Sequence, residues 1–121
     1  KLPVMFVCED NNLSILTPVE TRRRWKISDI AEGFGIPSVD ISDDPWTIYS
    51  KVSEMQDNLP AFLNIRTCRK NWHVGVGTDG PMEWNRFDLV KKELGNLGLR
   101  QNITDIEECI FESMEKLWQK D

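Results

Sequence analysis

The 121-residue chain reads as an α/β protein, a parallel sheet flanked by helices. Three observations predict this. The apolar stretches within Leu2–Cys8 and Pro60–Thr67 have the length and residue types of strands, and Ser38–Ile41 reads as a short strand between them. Helix signals separate them, above all Asp43-Asp44-Pro45, with Asp44 in the capping position and Pro45 at the first helical position. The resulting order of strand, helix, strand, helix, strand with right-handed crossovers builds a parallel sheet.

Each element has its own justification. Leu2–Cys8 is apolar without alternation, which predicts a strand covered on both faces with neighbours on both sides. Asn11–Pro18 is a loop, and Thr21–Trp25 a short helix or turn. Ser28 is expected to cap a helix from Asp29 to about Gly33, with Ile27, Ile30 and Phe34 as its apolar side. The helix from Pro45 runs to about Gln56, and Trp46, Tyr49, Val52 and Met55 are expected to share its inward face. The segment Cys68–Pro81 is a long glycine-bearing loop holding the sole histidine, His73. Asn85–Leu94 is helical, ended by Gly95 and Gly98. Thr104 and Glu107 have capping-box spacing, so a last helix is expected to begin there. Its apolar face, Ile106, Ile110, Met114, Leu117 and Trp118, is suited to pack on this domain or on a partner subunit, and core packing is the expectation.

Composition narrows the function classes. With 40% apolar and 29% charged residues, the chain is of ordinary globular type. A net charge of −5 speaks against nucleic acid as a partner, which requires a basic face. The one basic run, Arg22-Arg23-Arg24 followed by Trp25, is either a solvated helix face or a phosphate or partner contact. Cys8, Cys68 and Cys109 are widely spaced, which indicates neither a disulfide framework nor a zinc site and points to a reducing, cytoplasmic setting. No stretch has the length of a membrane span, and no membrane partner is expected.

In parallel sheets, ligands gather at the carboxyl ends of the strands. The loops after Cys8, Ile41 and Thr67 are therefore the candidate sites. Asp10-Asn11-Asn12 offers hard oxygen ligands suited to Mg²⁺ or Ca²⁺, and the same residues are ordinary turn formers. His73, near Arg69 and Lys70, is either a proton-transfer or anion-holding group or a plain loop residue.

Cys8-Glu9-Asp10-Asn11-Asn12-Leu13-Ser14-Ile15-Leu16-Thr17-Pro18 resembles the Cys-Glu-Asn-Asn-x-Tyr-x-x-x-Thr stretch of the α subunits of thiamine-diphosphate-dependent 2-oxo acid dehydrogenases, the E1 components. The resemblance continues through Ala31–Pro37, Asp43–Pro45, Pro60–Thr67 and Arg69–His73. It implies a thiamine-diphosphate-binding, transketolase-like fold and decarboxylation of a 2-oxo acid, with the acyl group passed to a lipoyl-bearing acyltransferase. It implies thiamine diphosphate and Mg²⁺ as cofactors and an E1 β-type subunit as partner. By position, Asn11 is the side-chain metal ligand and Leu13 supplies a backbone carbonyl. Ile15 lines the cofactor cleft, and His73 lies over the cofactor in a catalytic and binding role. Asp10 stands where the family has its first Asn and is expected to be a neighbour of the metal. The family's Gly-Asp-Gly, which carries the principal aspartate ligand, does not occur in the chain. Residues 1–121 are therefore expected to be the C-terminal portion of a thiamine-diphosphate-binding domain, inactive alone. The alternatives are a transketolase-like or decarboxylase thiamine enzyme and a non-catalytic assembly domain of the same fold.

Overall fold

The computed structural model of the chain describes residues 2–69, 77 and 84–119. These form two compact units, Lys1–Asn85 and Arg86–Asp121, each described by itself. The first unit contains the strands β1 (Met5–Asp10), β2 (Leu13–Ser14), β3 (Thr17–Pro18), β4 (Ser38–Ser42) and β5 (Ala61–Arg66). Its helices are α1 (Val19–Arg22), α2 (Ile27–Gly33) and α3 (Pro45–Met55). The second unit is a pair of helices, α4 (Arg86–Asn96) and α5 (Arg100–Trp118).

The main sheet is parallel with strand order β1-β5-β4. Among the described residues, the last strand in sequence thus lies in the middle, and it is the buried one. Ala61, Leu63, Asn64 and Ile65 of β5 are all buried, Leu63 completely. Continuous apolar character therefore marks the central strand at β5. β1 lies at an edge of this three-stranded sheet, with Phe6 47% and Val7 55% exposed on opposite faces, so among the described residues the cover expected on both its faces is not present.

One row of the sheet is polar. Cys8, Asn64 and Asp40 are in register across the three strands and so share a face. The Asn64 side chain donates to Asp40 Oδ1 at 2.6 Å, and Ser28 Oγ of α2 donates to Asp40 Oδ2 at 2.9 Å. These bonds seat α2 on the sheet and satisfy the Asn64 amide nitrogen, while its buried Oδ1 has no hydrogen-bond partner among the described residues. They also explain why Ser28 does not cap α2 as the sequence predicts. Its hydroxyl is committed to Asp40, and α2 begins earlier, with Asp29 accepting from the Lys26 N–H at 3.2 Å. The helix ends in a Schellman motif: the Ile36 N–H bonds Ala31 O, the Gly35 N–H bonds Glu32 O, and Gly35 adopts φ +71°.

At α3 the predicted cap holds. The Asp44 carboxylate accepts from the Thr47 N–H at 2.8 Å, with Pro45 at the first helical position. The predicted face holds at Val52 and Met55 and not at Trp46 and Tyr49. Trp46 and Tyr49 are exposed, while Ile48, Val52 and Met55 are half-buried. A spacing of three residues falls short of a 3.6-residue turn and drifts around the helix; positions 48, 52 and 55 stay on one side.

A second Schellman motif ends α4, with Leu99 N–H to Leu94 O, Gly98 N–H to Gly95 O, and Gly98 at φ +83°. The chain turns there and α5 starts at once from Arg100. Thr104 therefore lies inside α5, where its hydroxyl donates back to Arg100 O. The capping-box reading is corrected. The core-packing expectation for the last helix is corrected too: Ile106, Ile110, Met114, Leu117 and Trp118 are exposed.

Candidate functional site

The carboxyl ends of the three parallel strands meet at Asp10, Arg66 and Ser42, which are in register. Around Asp10 the chain builds a charged knot. The Asp10 carboxylate lies 3.8 Å from Arg23 Nη2 on one oxygen and 3.8 Å from Arg66 Nη1 on the other. It also accepts from the Asn12 N–H at 2.8 Å, an Asx-type bond that closes the turn leaving β1. Its backbone carbonyl accepts from the Thr67 N–H and from Arg66. Asp10 is thus committed to holding β1, β5 and the following turn together.

The turn passes through Asn12 at φ +59°, a conformation that Asn tolerates better than most residues. It opens the antiparallel hairpin of β2 and β3, in which Leu13 faces Pro18 and Ser14 faces Thr17. Asn12 O accepts from the Val19 N–H at 3.0 Å, and the Asn12 amide reaches Glu20 Oε2 at 3.4 Å. With Asn12 and Val19 as a bonded pair, the next pair, Leu13 and Pro18, is a non-bonded one. The Leu13 carbonyl therefore faces outward from the hairpin. At the two-residue tip, Ile15 takes φ +62° and is 84% exposed. A β-branched residue is strained there.

A cleft of about 410 Å³ opens at this end of β1, bordered by Asn11, Leu13, Ser14, Arg22, Arg23 and Trp25 together with Cys8 and Asp10. The Arg23 guanidinium lies over the Trp25 ring, 4.4 Å from its centre, and forms one wall. Burial pushes the Cys8 thiol above its ordinary value; Asp10 adds to the rise, Arg23 opposes it, and Glu9 adds a little more. Together these groups favour the protonated thiol.

Of the residues expected to hold a metal and cofactor, Asn11 and Leu13 both border this cleft. One amide oxygen and one outward-facing carbonyl are hard donors, and they fit part of a Mg²⁺ shell that diphosphate oxygens would share. Ile15 stands at the hairpin tip and is not among the residues bordering the cleft. His73 lies outside the described residues. Among the described residues, no group of three or more His, Cys, Asp or Glu side chains is placed to hold a metal ion. No helix among them is long and apolar enough to cross a membrane. Sequence reasoning missed the part played by Arg23, Arg66 and Trp25. The Arg-Arg-Arg-Trp run was the only signal for the wall, and Arg66 reaches Asp10 solely through sheet register.

No family model and no solved structure matches the chain. A segment of 59 residues, 47% of the chain, is 39% identical to the 2-oxoisovalerate dehydrogenase subunit alpha of Bacillus subtilis (strain 168). That segment spans 18% of the subunit's length. Over about half its length, the chain is thus distantly related to the α subunit of a 2-oxo acid dehydrogenase.

Proposed function

We propose that the chain is part of a thiamine-diphosphate-dependent E1-type dehydrogenase that decarboxylates a 2-oxo acid and passes the acyl group to a lipoyl acceptor. The observation that carries this reading is the partial match to the α subunit of 2-oxoisovalerate dehydrogenase. The cleft at the carboxyl end of β1 supports it, because Asn11 and Leu13 border one concavity with the chemistry of a partial Mg²⁺ shell. Thiamine diphosphate, when bound, supplies the electron sink for decarboxylation. The chain's own residues do the positioning. Asn11 and the Leu13 carbonyl would hold the metal; the resemblance alone assigns Ile15 to the cofactor cleft and His73 to phosphate or substrate. Asp10 positions the hairpin that carries Leu13 and Ile15 through its bond to the Asn12 N–H.

The open edge of β1, with Phe6 and Val7 exposed on both faces, supports the further reading that this sheet belongs to a larger cofactor-binding domain. An E1 β-type subunit completes the site. Calorimetric titration with Mg²⁺ and thiamine diphosphate tests the proposal. The 121-residue chain alone is expected not to bind the cofactor at micromolar concentration. A longer protein assembled with its β-type partner is expected to bind it, and Asn11→Ala to weaken that binding by at least about tenfold. Equal affinity in the Asn11→Ala variant overturns the ligand assignment. An assembled protein that binds no cofactor overturns the enzyme reading in favour of a non-catalytic assembly domain.

A further inference from the structure

The helical pair carries a second concavity, of about 440 Å³, between α4 and α5. Lys91, Lys92, Gly95, Arg100, Thr104 and Glu107 are among the residues that border it. Three cations therefore meet one carboxylate in a chain whose net charge is −5. The carboxylate is already matched: Glu107 Oε1 lies 2.6 Å from Lys91 Nζ. Lys92 and Arg100 are left with no side-chain hydrogen bond or ion pair among the described residues. No acidic side chain occupies the first turn of α5 to compete for them.

Gly95 fits the same picture. Gly95 lies in the final turn of α4, one residue before its end. A Cβ added at Gly95 would lie 3.3 Å from Arg100 Nε and 3.4 Å from its Cγ. The absent side chain thus leaves room for the Arg100 side chain to lie across α4. Two unmatched cations in a concavity raise the local concentration of anions. Guanidinium and ammonium groups bind phosphate and carboxylate through charge-assisted hydrogen bonds.

We propose that Lys92 and Arg100, with Gly95 making room for Arg100, form a binding site for a small phosphate- or carboxylate-bearing ligand between α4 and α5. The inference stands apart from the thiamine reading, because none of these residues borders the cleft at β1. The test is titration of the 121-residue chain with inorganic phosphate and, separately, with succinate, followed by calorimetry and by amide shifts in α4 and α5. Saturable binding of at least one anion with a dissociation constant of roughly 1 mM or tighter is expected. Lys92→Gln and Arg100→Gln are each expected to weaken it by about tenfold. Gly95→Ala is expected to weaken it as well while helix content by circular dichroism is kept or raised. Lys116→Gln removes the same charge from α5 away from the concavity and is expected to leave binding unchanged. Phosphate binding alone identifies a phosphoryl ligand; binding of both anions extends the class to carboxylates. Absence of saturable binding by either anion overturns the proposal, as does an equal loss in Lys116→Gln and Arg100→Gln. Neither result bears on thiamine diphosphate binding.

Discussion

At the scale of single residues, conformation and burial set the behaviour of the β1 end. Ile15 sits in the left-handed region with its side chain 84% exposed, so it gains little packing in return for its strain. The left-handed conformation costs an L-residue roughly 1–2 kcal/mol. Glycine removes that cost and gives back part of it through a freer unfolded chain. Ile15→Gly is therefore expected to stabilise the chain by up to about 1 kcal/mol, read as a higher urea midpoint. A lower midpoint would show that the exposed side chain has a packing role in the folded chain. Cys8 gives a pH-dependent effect. Its thiol is held above the value of 9.0 that it has without perturbation. The folded state then holds the proton more tightly than the unfolded state, and the associated stability is complete below the unfolded value. It is lost as pH rises through the folded value. Stability is expected to fall as pH increases above about 9, and Cys8→Ala to flatten that decline. The measurement is a series of thermal unfolding curves from neutral to alkaline pH, with the two proteins compared at each pH. An identical alkaline slope in the variant would remove Cys8 as the cause.

Elements show where local signals are sufficient and where they compete. Asp44 and Thr104 both look like helix caps in sequence, and only Asp44 is one. Its carboxylate bonds the Thr47 N–H, whereas the Thr104 hydroxyl bonds back to Arg100 O within α5. Asp44→Ala is expected to cost about 1 kcal/mol. Thr104→Ala is expected to change stability by no more than about 0.5 kcal/mol, because it removes only a back-bond and introduces the better helix former. Denaturant titration of the two variants side by side checks this; equal losses would mean that α5 begins at Thr104 after all. The reason for the difference lies upstream of Thr104. Gly98 closes a Schellman motif, the chain reverses, and α5 is under way before the capping-box residues are reached. Ser28 fails as a cap for another reason, since Asp40 on β4 claims its hydroxyl. An earlier helix start displaced the local reading at Thr104, and a competing partner displaced it at Ser28.

On the scale of the whole molecule, periodicity and punctuation place β1, β4, β5, α2 and α3 near their observed positions, because those signals act over a few residues; Asn11–Pro18, expected as a loop, instead holds the β2–β3 hairpin, and the short helix expected at Thr21–Trp25 lies at Val19–Arg22. Asp44-Pro45 and the glycines after α2 and α4 worked for this reason. The match to the α subunit of 2-oxoisovalerate dehydrogenase agrees at the family level with the likeness carried by the Cys8–Pro18 stretch. Strand order was not legible. Leu2–Cys8 and Pro60–Thr67 both read as buried strands, and only the fold puts β5 in the centre and β1 at an edge. Register made the site what it is: it brings Arg66 to Asp10 and Asn64 between Cys8 and Asp40. The same holds for the helical pair, where Lys92 on α4 and Arg100 on α5 border one concavity only because the turn at Gly98 folds the two helices together. The sequence by itself determined the α/β class and the main elements, since propensity, capping and spacing are local properties; the stretch from Cys8 to Pro18 stood out through its resemblance to the E1 α subunits. The tertiary structure alone decided that Asp10 is a structural hub, that the Leu13 carbonyl faces outward and that Arg23 and Trp25 wall the cleft. Those facts depend on strand pairing and on contacts between residues far apart in the chain, which no local pattern encodes.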